Sequence, residues 1–478
     1  MVTGPDAPAT PRLPVIIQGG MGVGVSHWRL AHAVSRLGQL GVVSGTALDT
    51  VLARRLQCGD IGGHMRRAME KFPIPQAAAE ALKRYFHPEG LPPGVPYAML
   101  PMPQQVMSRA REQFTMLAAF VEVQLAREGH DGLVGINLLT KVQHSNLPLL
   151  YGAMLAGVGF VLMGAGIPRE IPAALDALAL HQPAALRLEV EGGAADDVRY
   201  LRLDPGSFWE GAPPPISRPK FLPIIASNSL ATMMARKASG RVDGFVVEGP
   251  TAGGHNAPPR GGSVPDERGD IAYGPRDEVD LGKIRELGLP FWVAGGEGSP
   301  QRLREALAAG AAGIQVGTLF AYCDESGIEP GLRGTVLRHV ARGEIEVRTD
   351  SRASPTGYPF KVVTWGAAAA ERERVCDMGY LRTAYAMPGG RIGYRCPSEP
   401  EEAFVAKGGN LADTVGRMCL CNSLLATMGL GQVREGGWVE PPVLTSGDEL
   451  LRLGGFLAGR THYSAADVIS YLLEADTG

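Results

Sequence analysis

Eight short apolar runs recur along the first two thirds of the chain, and most end at glycine or at a polar residue. Such runs between turn signals are typical of buried strands in a parallel sheet. Amphipathic helical patterns lie between several of them, which favours alternating strand and helix units. The pattern predicts an α/β fold, a TIM (β/α)8 barrel. The predicted strands are residues 14–18, 41–45, 133–137, 159–163, 221–226, 243–248, 291–295 and 313–317.

Two stretches interrupt this alternation within the barrel. Residues 58–130 carry two helical patterns, near 74–86 and 104–128, on either side of a proline-rich stretch. We predict a helical insertion there that acts as a lid. Residues 184–205 alternate apolar and polar positions, which is typical of a hairpin.

The chain continues well beyond the last predicted strand. We place the barrel domain at residues 13–363 and an appended C-terminal region at residues 364–478. Two helices are predicted in the appended region, at 446–457 and 463–475. Ser464 precedes the second helix and is a favourable N-cap residue.

Composition and charge exclude several classes of protein. The net charge of −3 gives no argument for nucleic acid or for an anionic membrane surface as partner. Residues 147–168 carry no charge and are long enough to span a bilayer, but glycines and prolines break the stretch into a helix (147–156) and a strand. No secretory signal is apparent in the first twelve residues, so a cytoplasmic location is expected.

The chemistry-bearing residues follow the predicted strands. After strand 243–248 the chain reads Thr251-Ala252-Gly253-Gly254-His255. Adjacent glycines admit a flat ligand close to the backbone, and a histidine exchanges a proton near neutral pH. TIM barrels present catalytic groups in such loops at the carboxyl ends of their strands. A turn histidine that only packs beside a ligand remains the alternative interpretation.

Two later strands also end in glycine turns. Gly295-Gly296-Glu297-Gly298 follows strand 291–295, with Ser299 and Pro300 opening the next helix, and Gly317-Thr318 follows strand 313–317. Free backbone N–H groups at such turns bind anions, and in TIM barrels the last two strands commonly form a phosphate site. The first strand ends similarly, in Gln18-Gly19-Gly20-Met21, without a dinucleotide fingerprint.

Together these motifs resemble the nitronate monooxygenase family (formerly 2-nitropropane dioxygenase), which includes FMN-dependent enoyl reductases of fatty-acid and polyketide synthesis. The resemblance covers residues 13–363. Three departures affect the substrate more than the cofactor. Thr251 stands where relatives commonly have Glu, Tyr358 stands where they have Arg, and residues 256–260 differ from the simple relatives. The matching segments are 18–21, 135–137, 252–255, 294–296, 317–318 and 356–359.

The resemblance implies FMN and an oxidoreductase activity. His255 is the predicted general base or acid. The residues predicted to bind the cofactor are Gly19, Gly20, Met21, Asn137, Ser227, Gly254, Gly295, Gly296, Gly298, Gly317 and Thr318. The first hypothesis is oxidation of a small nitronate-like or acidic C–H substrate. The second is reduction of an enoyl thioester, and the third is a flavin-binding electron-transfer subunit with an electron-transfer or synthase partner. The oligomeric state stays open.

Four of the six cysteines lie within the appended region: Cys376, Cys396, Cys419 and Cys421. Clustered cysteines in a cytosolic chain are more often metal ligands or catalytic than disulfides. Four thiolates suit zinc or an iron–sulfur cluster, although Cys-x-Cys is not the usual spacing. Unligated thiols and a redox disulfide remain open alternatives. Cys58 and Cys323 are isolated and are interpreted as small buried hydrophobic residues.

Overall fold

The computed structural model describes residues 13–194, 196–262, 264–366 and 372–474. The first twelve residues, where no secretory signal is predicted, and the predicted end of the last helix at residue 475 lie outside these ranges. The described strands, in chain order, are β1 (Ile16–Gln18), β2 (Leu40–Ser44), β3 (Val134–Leu139), β4 (Phe160–Gly164), β5 (Ala184–Leu188), β6 (Val190–Glu191), β7 (Arg199–Leu203), β8 (Lys220–Ile225), β9 (Phe245–Glu248), β10 (Phe291–Ala294), β11 (Gly313–Val316), β12 (Glu346–Asp350), β13 (Phe360–Thr364), β14 (Thr383–Met387) and β15 (Arg391–Arg395).

Eight strands form a closed, all-parallel barrel in the order β1-β11-β10-β9-β8-β4-β3-β2. Each corresponds to one predicted strand, so the predicted (β/α)8 barrel is confirmed. Short apolar runs form these strands because both of their faces are buried. The side chains that fill the barrel interior are Ile17, Leu40, Val42, Phe160, Leu162, Leu222, Val246, Trp292 and Ala294.

Helices surround the barrel. Ser299 caps α10 by accepting the Arg302 N–H at 3.2 Å, and Pro300 is its first residue, as predicted. The helices are α1 (Trp28–Arg36), α2 (Leu48–Gln57), α3 (His64–Met69), α4 (Pro75–Tyr85), α5 (Arg109–Ala126), α6 (Asn146–Leu155), α7 (Ile171–Ala179), α8 (Asn228–Lys237), α9 (Leu281–Arg285), α10 (Pro300–Ala308), α11 (Thr318–Ala321), α12 (Pro330–Arg342), α13 (Glu401–Ala406), α14 (Leu420–Thr427), α15 (Leu453–Leu457) and α16 (Ala465–Leu472).

The predicted hairpin and the uncharged stretch both take their expected forms. β5 and β7 pair antiparallel. Residues 147–168 divide into helix α6 and strand β4, separated by the turn at Gly157. Among the described residues, no helix is both long and apolar enough to cross a membrane.

The insertion between β2 and β3 does not cover the barrel mouth. Its longest helix, α5, packs against α1, α2 and α6, in the position of a barrel helix, and α3 and α4 pack on α5. None of its described residues lines the cavity at the barrel mouth. The predicted lid is therefore corrected: the apolar faces of these helices are buried against one another and against the outside of the barrel.

The C-terminal region completes the helical layer. Helix α16 begins at a capping box of Ser464 and Asp467, as predicted, and packs against α1, α10 and α11. The predicted helix at 446–457 is instead a 3₁₀ turn, Asp448–Arg452, followed by the short α15. Side chains of this region share one hydrophobic core with the barrel, so the predicted boundary at residue 363 divides sequence that packs together.

Candidate active site

One cavity at the carboxyl ends of the barrel strands gathers most of the predicted site residues. Its walls come from the loops after β1, β3, β9, β10 and β11 and from the C-terminal region. Two predicted residues do not line it: Ser227, whose hydroxyl caps α8 by accepting the Leu230 N–H at 3.0 Å, and Gly298. The predicted residues that line it are Gly19, Gly20, Met21, Asn137, Gly254, His255, Gly295, Gly296, Gly317 and Thr318.

The turn after β1 is held by a buried polar network. The Ser26 hydroxyl donates to the Gly19 carbonyl at 2.8 Å and accepts the Met21 N–H at 3.0 Å. The Gln18 side chain donates to the Ser26 hydroxyl at 2.9 Å. A Cβ on Gly20 would lie 2.2 Å from the Asn137 Cβ. Glycine is therefore required where this turn approaches β3.

His255 is held on the cavity wall from two sides. Its Nε2 lies 2.6 Å from the Ser354 hydroxyl, and its ring packs edge-on against Phe360 with centroids 4.9 Å apart. The preceding residue, Gly254, donates its N–H to the Thr445 hydroxyl at 2.8 Å. Burial lowers the pKa of His255 to about 4. The imidazole is therefore neutral at pH 7 and able to accept a proton.

Glu248 is a second acid–base group in the same cavity. It is the last residue of β9, and burial raises its pKa to about 7. Glu248 is not among the residues predicted to form the site. Its position at the carboxyl end of a barrel strand was the available signal.

The two glycine turns at the far end of the cavity differ in backbone conformation. Gly295 and Gly296 have φ of +97° and +75°, which favour glycine. Gly317 has φ −108° and needs no such freedom. The Gly298 N–H donates to the Glu449 carboxylate at 2.6 Å, and the Gly447 N–H donates to the Thr318 hydroxyl at 3.2 Å.

The C-terminal region supplies a whole wall of the cavity, which sequence reasoning missed. No local pattern signals these contacts, because they join residues more than a hundred positions apart. Tyr380, whose hydroxyl donates to Asp49 and lies 2.7 Å from the Thr50 hydroxyl, is one of them. The wall residues are Tyr380, Leu381, Leu420, Cys421, Leu424, Thr427, Val443, Leu444, Thr445, Ser446, Gly447 and Glu449.

The residues of this cavity fit FMN. Close backbone approach at the β1 turn suits a flat ring, and most of the C-terminal wall is apolar. Gln315 lines the cavity, and its Oε1 is a buried acceptor without a hydrogen-bond partner among the described residues. An imide N–H such as that of the flavin ring satisfies such an acceptor. The glycine turns after β10 and β11 offer backbone N–H groups to a phosphate.

The four clustered cysteines come together without forming a recognisable metal centre. All six cysteines are free thiols. A hydrogen bond with Cys376 lowers the pKa of Cys396, and one with Cys421 lowers that of Cys419, so the thiols lie in two pairs. Searching the described part of the chain finds no group of three or more His, Cys, Asp or Glu residues that could hold a metal ion. The predicted iron–sulfur or zinc site is therefore unsupported.

Comparison with known proteins agrees with the resemblance. Residues 210–350 match the family described as Nitronate monooxygenase. The nitronate monooxygenase of Pseudomonas aeruginosa is 34% identical over 126 residues, which is 26% of this chain and 34% of that protein. That of Paraburkholderia phytofirmans is 31% identical over 119 residues, or 25% of this chain and 31% of that protein. The aligned part spans about a third of these relatives.

Solved structures also show similarity at low identity. FabK from Thermotoga maritima is 18% identical with a TM-score of 0.40, covering 73% of this chain and 70% of that chain. Nitroalkane oxidase from Streptomyces ansochromogenes is 16% identical with a TM-score of 0.46, covering 96% and 94%. Both TM-scores are below 0.5, and the fold rests on the strand pairing described above. Residues 210–350, which include the last four barrel strands, are therefore similar to the nitronate monooxygenase family.

Proposed function

We propose that this protein is an FMN-dependent oxidoreductase that oxidises a small nitronate-like or otherwise acidic C–H substrate. The observation that carries the proposal is the single cavity in which a neutral histidine, the β1 turn and the two glycine turns converge. FMN supplies the redox chemistry when bound, and the protein supplies position and proton transfer. The similarity of residues 210–350 to the nitronate monooxygenase family supports this class of reaction.

The residues divide into three roles. Gly19, Gly20 and Asn137 would hold the flat ring, with Gln315 as an acceptor for its imide. The turns at 295–298 and 317–318 would hold the phosphate. His255 would accept the α-proton of the substrate, because it is neutral and its Nε2 is oriented by the Ser354 hydroxyl.

The apolar C-terminal wall favours a second candidate, an FMN-dependent enoyl-thioester reductase. Leu420, Leu424, Val443 and Leu444 line the cavity, more apolar surface than a small nitronate needs and suitable for an acyl chain. In this reaction NAD(P)H provides the hydride, and the protein returns a proton beside the carbonyl.

An assay of the purified full chain distinguishes the two candidates. One arm follows oxygen consumption with an alkyl nitronate, and the other follows NAD(P)H oxidation with an enoyl thioester. Turnover in the first arm that is lost in His255→Ala supports the proposal. Turnover confined to the second arm replaces it with the reductase, and no turnover in either arm contradicts both candidates.

A further inference from the structure

Glu449 places a buried carboxyl group at the predicted phosphate end of the cavity. Its side chain is only 8% exposed, and its Oε1 accepts the Gly298 N–H at 2.6 Å. A Cβ on Gly298 would lie 2.2 Å from the same oxygen, so the turn admits this carboxyl only because residue 298 is glycine. Glu449 lines the cavity together with Gly296 and Thr318.

The segment that carries Glu449 is anchored to the barrel. The Asp448 N–H donates to the Thr251 carbonyl at 3.0 Å, and Lys361 binds the Asp448 carboxylate at 2.6 Å. The Gly447 N–H donates to the Thr318 hydroxyl. These contacts fix the two residues immediately before Glu449, so its backbone cannot leave the site without breaking them.

Burial and the neighbouring Glu297 favour the neutral form of Glu449. Burial raises its pKa to about 7, and the neighbouring Glu297 acts in the same direction. The Gly298 N–H and Arg452 oppose this shift. Tyr463 and Tyr471, from the C-terminal segment, also face this carboxyl. A phosphate dianion and a carboxylate both require the donors of this turn and repel each other.

We propose that Glu449 determines recognition of the flavin phosphate by binding it only in the protonated form, donating its O–H to a phosphate oxygen. The inference rests on the proposed function in taking the anion to be the phosphate of FMN. Above pH 7, one proton passes from solvent to the Glu449 carboxylate as FMN binds. Riboflavin has the same ring without the phosphate, so its binding takes up no proton here.

The test compares FMN and riboflavin binding to the full-length protein freed of its flavin, by flavin fluorescence from pH 7 to pH 9. In this range free phosphate monoesters are already dianions, since their second pKa is about 6. For the unmodified protein, we expect the Kd for FMN to rise about tenfold per pH unit, as linkage of one proton requires. The Kd for riboflavin should stay constant.

Two variants isolate the carboxyl group. Glu449→Gln keeps the shape and a donor, so its Kd for FMN should become independent of pH. Glu297→Gln is the matched control, because the Glu297 carboxyl belongs to the same turn but does not accept the Gly298 N–H, and this variant should retain the slope. Proton uptake from a weak buffer gives a readout without a variant: at pH 8, FMN binding should take up about one proton per chain.

The outcomes separate this inference from the proposed function. A pH-independent Kd for FMN in the unmodified protein, or a slope that persists in Glu449→Gln, overturns the role of Glu449 while the flavin site stands. An equal slope for riboflavin also overturns it, since the proton then belongs to a group at the ring. Failure of both flavins to bind contradicts the proposed function itself.

Discussion

At the residue scale, the cavity holds two acid–base groups whose pKa values are displaced in opposite directions. Burial disfavours the charged form of each, so it lowers the pKa of His255 to about 4 and raises that of Glu248 to about 7. At neutral pH His255 is an available but weak base, whereas Glu248 is partly protonated. A catalytic group works best with a pKa near the working pH, so the pH profile identifies which residue transfers the proton.

We expect His255→Gln to retain flavin and to lose about 10²- to 10⁴-fold in kcat, the usual contribution of a general base. In the unmodified protein, log(kcat/KM) should fall on the acid side near pH 4, because protonated His255 cannot accept a proton. Glu248→Gln is the matched control, and its log(kcat/KM) should still fall near pH 4. An acid limb near pH 7 that disappears in Glu248→Gln would assign the base to Glu248.

Two glycines of the predicted phosphate site should respond differently to the same change. Gly296 has φ +75°, and a Cβ there would meet the Thr251 Oγ1 at 3.2 Å, so Gly296→Ala is strained by about 1–2 kcal/mol. Gly317 has φ −108°, and its Cβ would make an ordinary contact with Met21 at 3.4 Å. Flavin stoichiometry should fall in Gly296→Ala and hold in Gly317→Ala. Equal stoichiometry in both variants would show that the turn tolerates a side chain.

At the element scale, the local sequence pattern was sufficient to predict the barrel strands but not the structure of the C-terminal region. The strands are apolar on both faces and most end at glycine or at a polar residue, so the local sequence alone identifies them. The wall containing Tyr380, Leu420 and Thr445 depends on contacts distant in sequence, which no periodicity encodes. The helix predicted at 446–457 does not form, for a related reason. Gly447 and Glu449 form hydrogen bonds with the barrel turns, and these contacts fix the segment as a 3₁₀ turn.

One buried ion pair joins the insertion, the barrel and the C-terminal region. Arg111 of α5 binds Asp49 of α2 at 2.6 Å, with side chains 7% and 1% exposed, and Tyr380 donates to the same carboxylate. Arg111→Met leaves the Asp49 charge uncompensated and should cost about 3–5 kcal/mol in urea unfolding. The control is Arg302→Met, whose exposed pair with Glu305 should contribute about 0.3–0.5 kcal/mol. Equal losses would contradict a structural role for this pair.

At the scale of the whole molecule, the barrel and the C-terminal region share one hydrophobic core. Val468 of α16 is fully buried, and the Tyr463 hydroxyl donates to the Leu319 carbonyl at 2.7 Å. The region therefore contributes to the ring of helices as well as to the cavity. The boundary predicted at residue 363 marks the point where the sequence motifs end. The packed core continues beyond it.

We expect a chain ending at residue 363 to be insoluble or free of flavin, because it loses part of the common core and one wall of the cavity. Val468→Asp in the full chain should have the same effect, since it buries an unpaired charge. Leu473→Asp is the matched control, because Leu473 is 47% exposed on the same segment and tolerates a charge. A soluble chain of residues 1–363 that binds flavin stoichiometrically would instead establish an independent barrel domain.

The central claim is that this barrel binds FMN at the mouth formed by the β1, β10 and β11 turns. Its most direct test is the identity and amount of cofactor released by denaturing the purified full chain, separated by chromatography against FMN, FAD and riboflavin. We predict about one FMN per chain, because the cavity offers one phosphate-binding site and the sequence lacks a dinucleotide fingerprint. Release of FAD, or failure to bind any flavin after incubation with FMN, would contradict it.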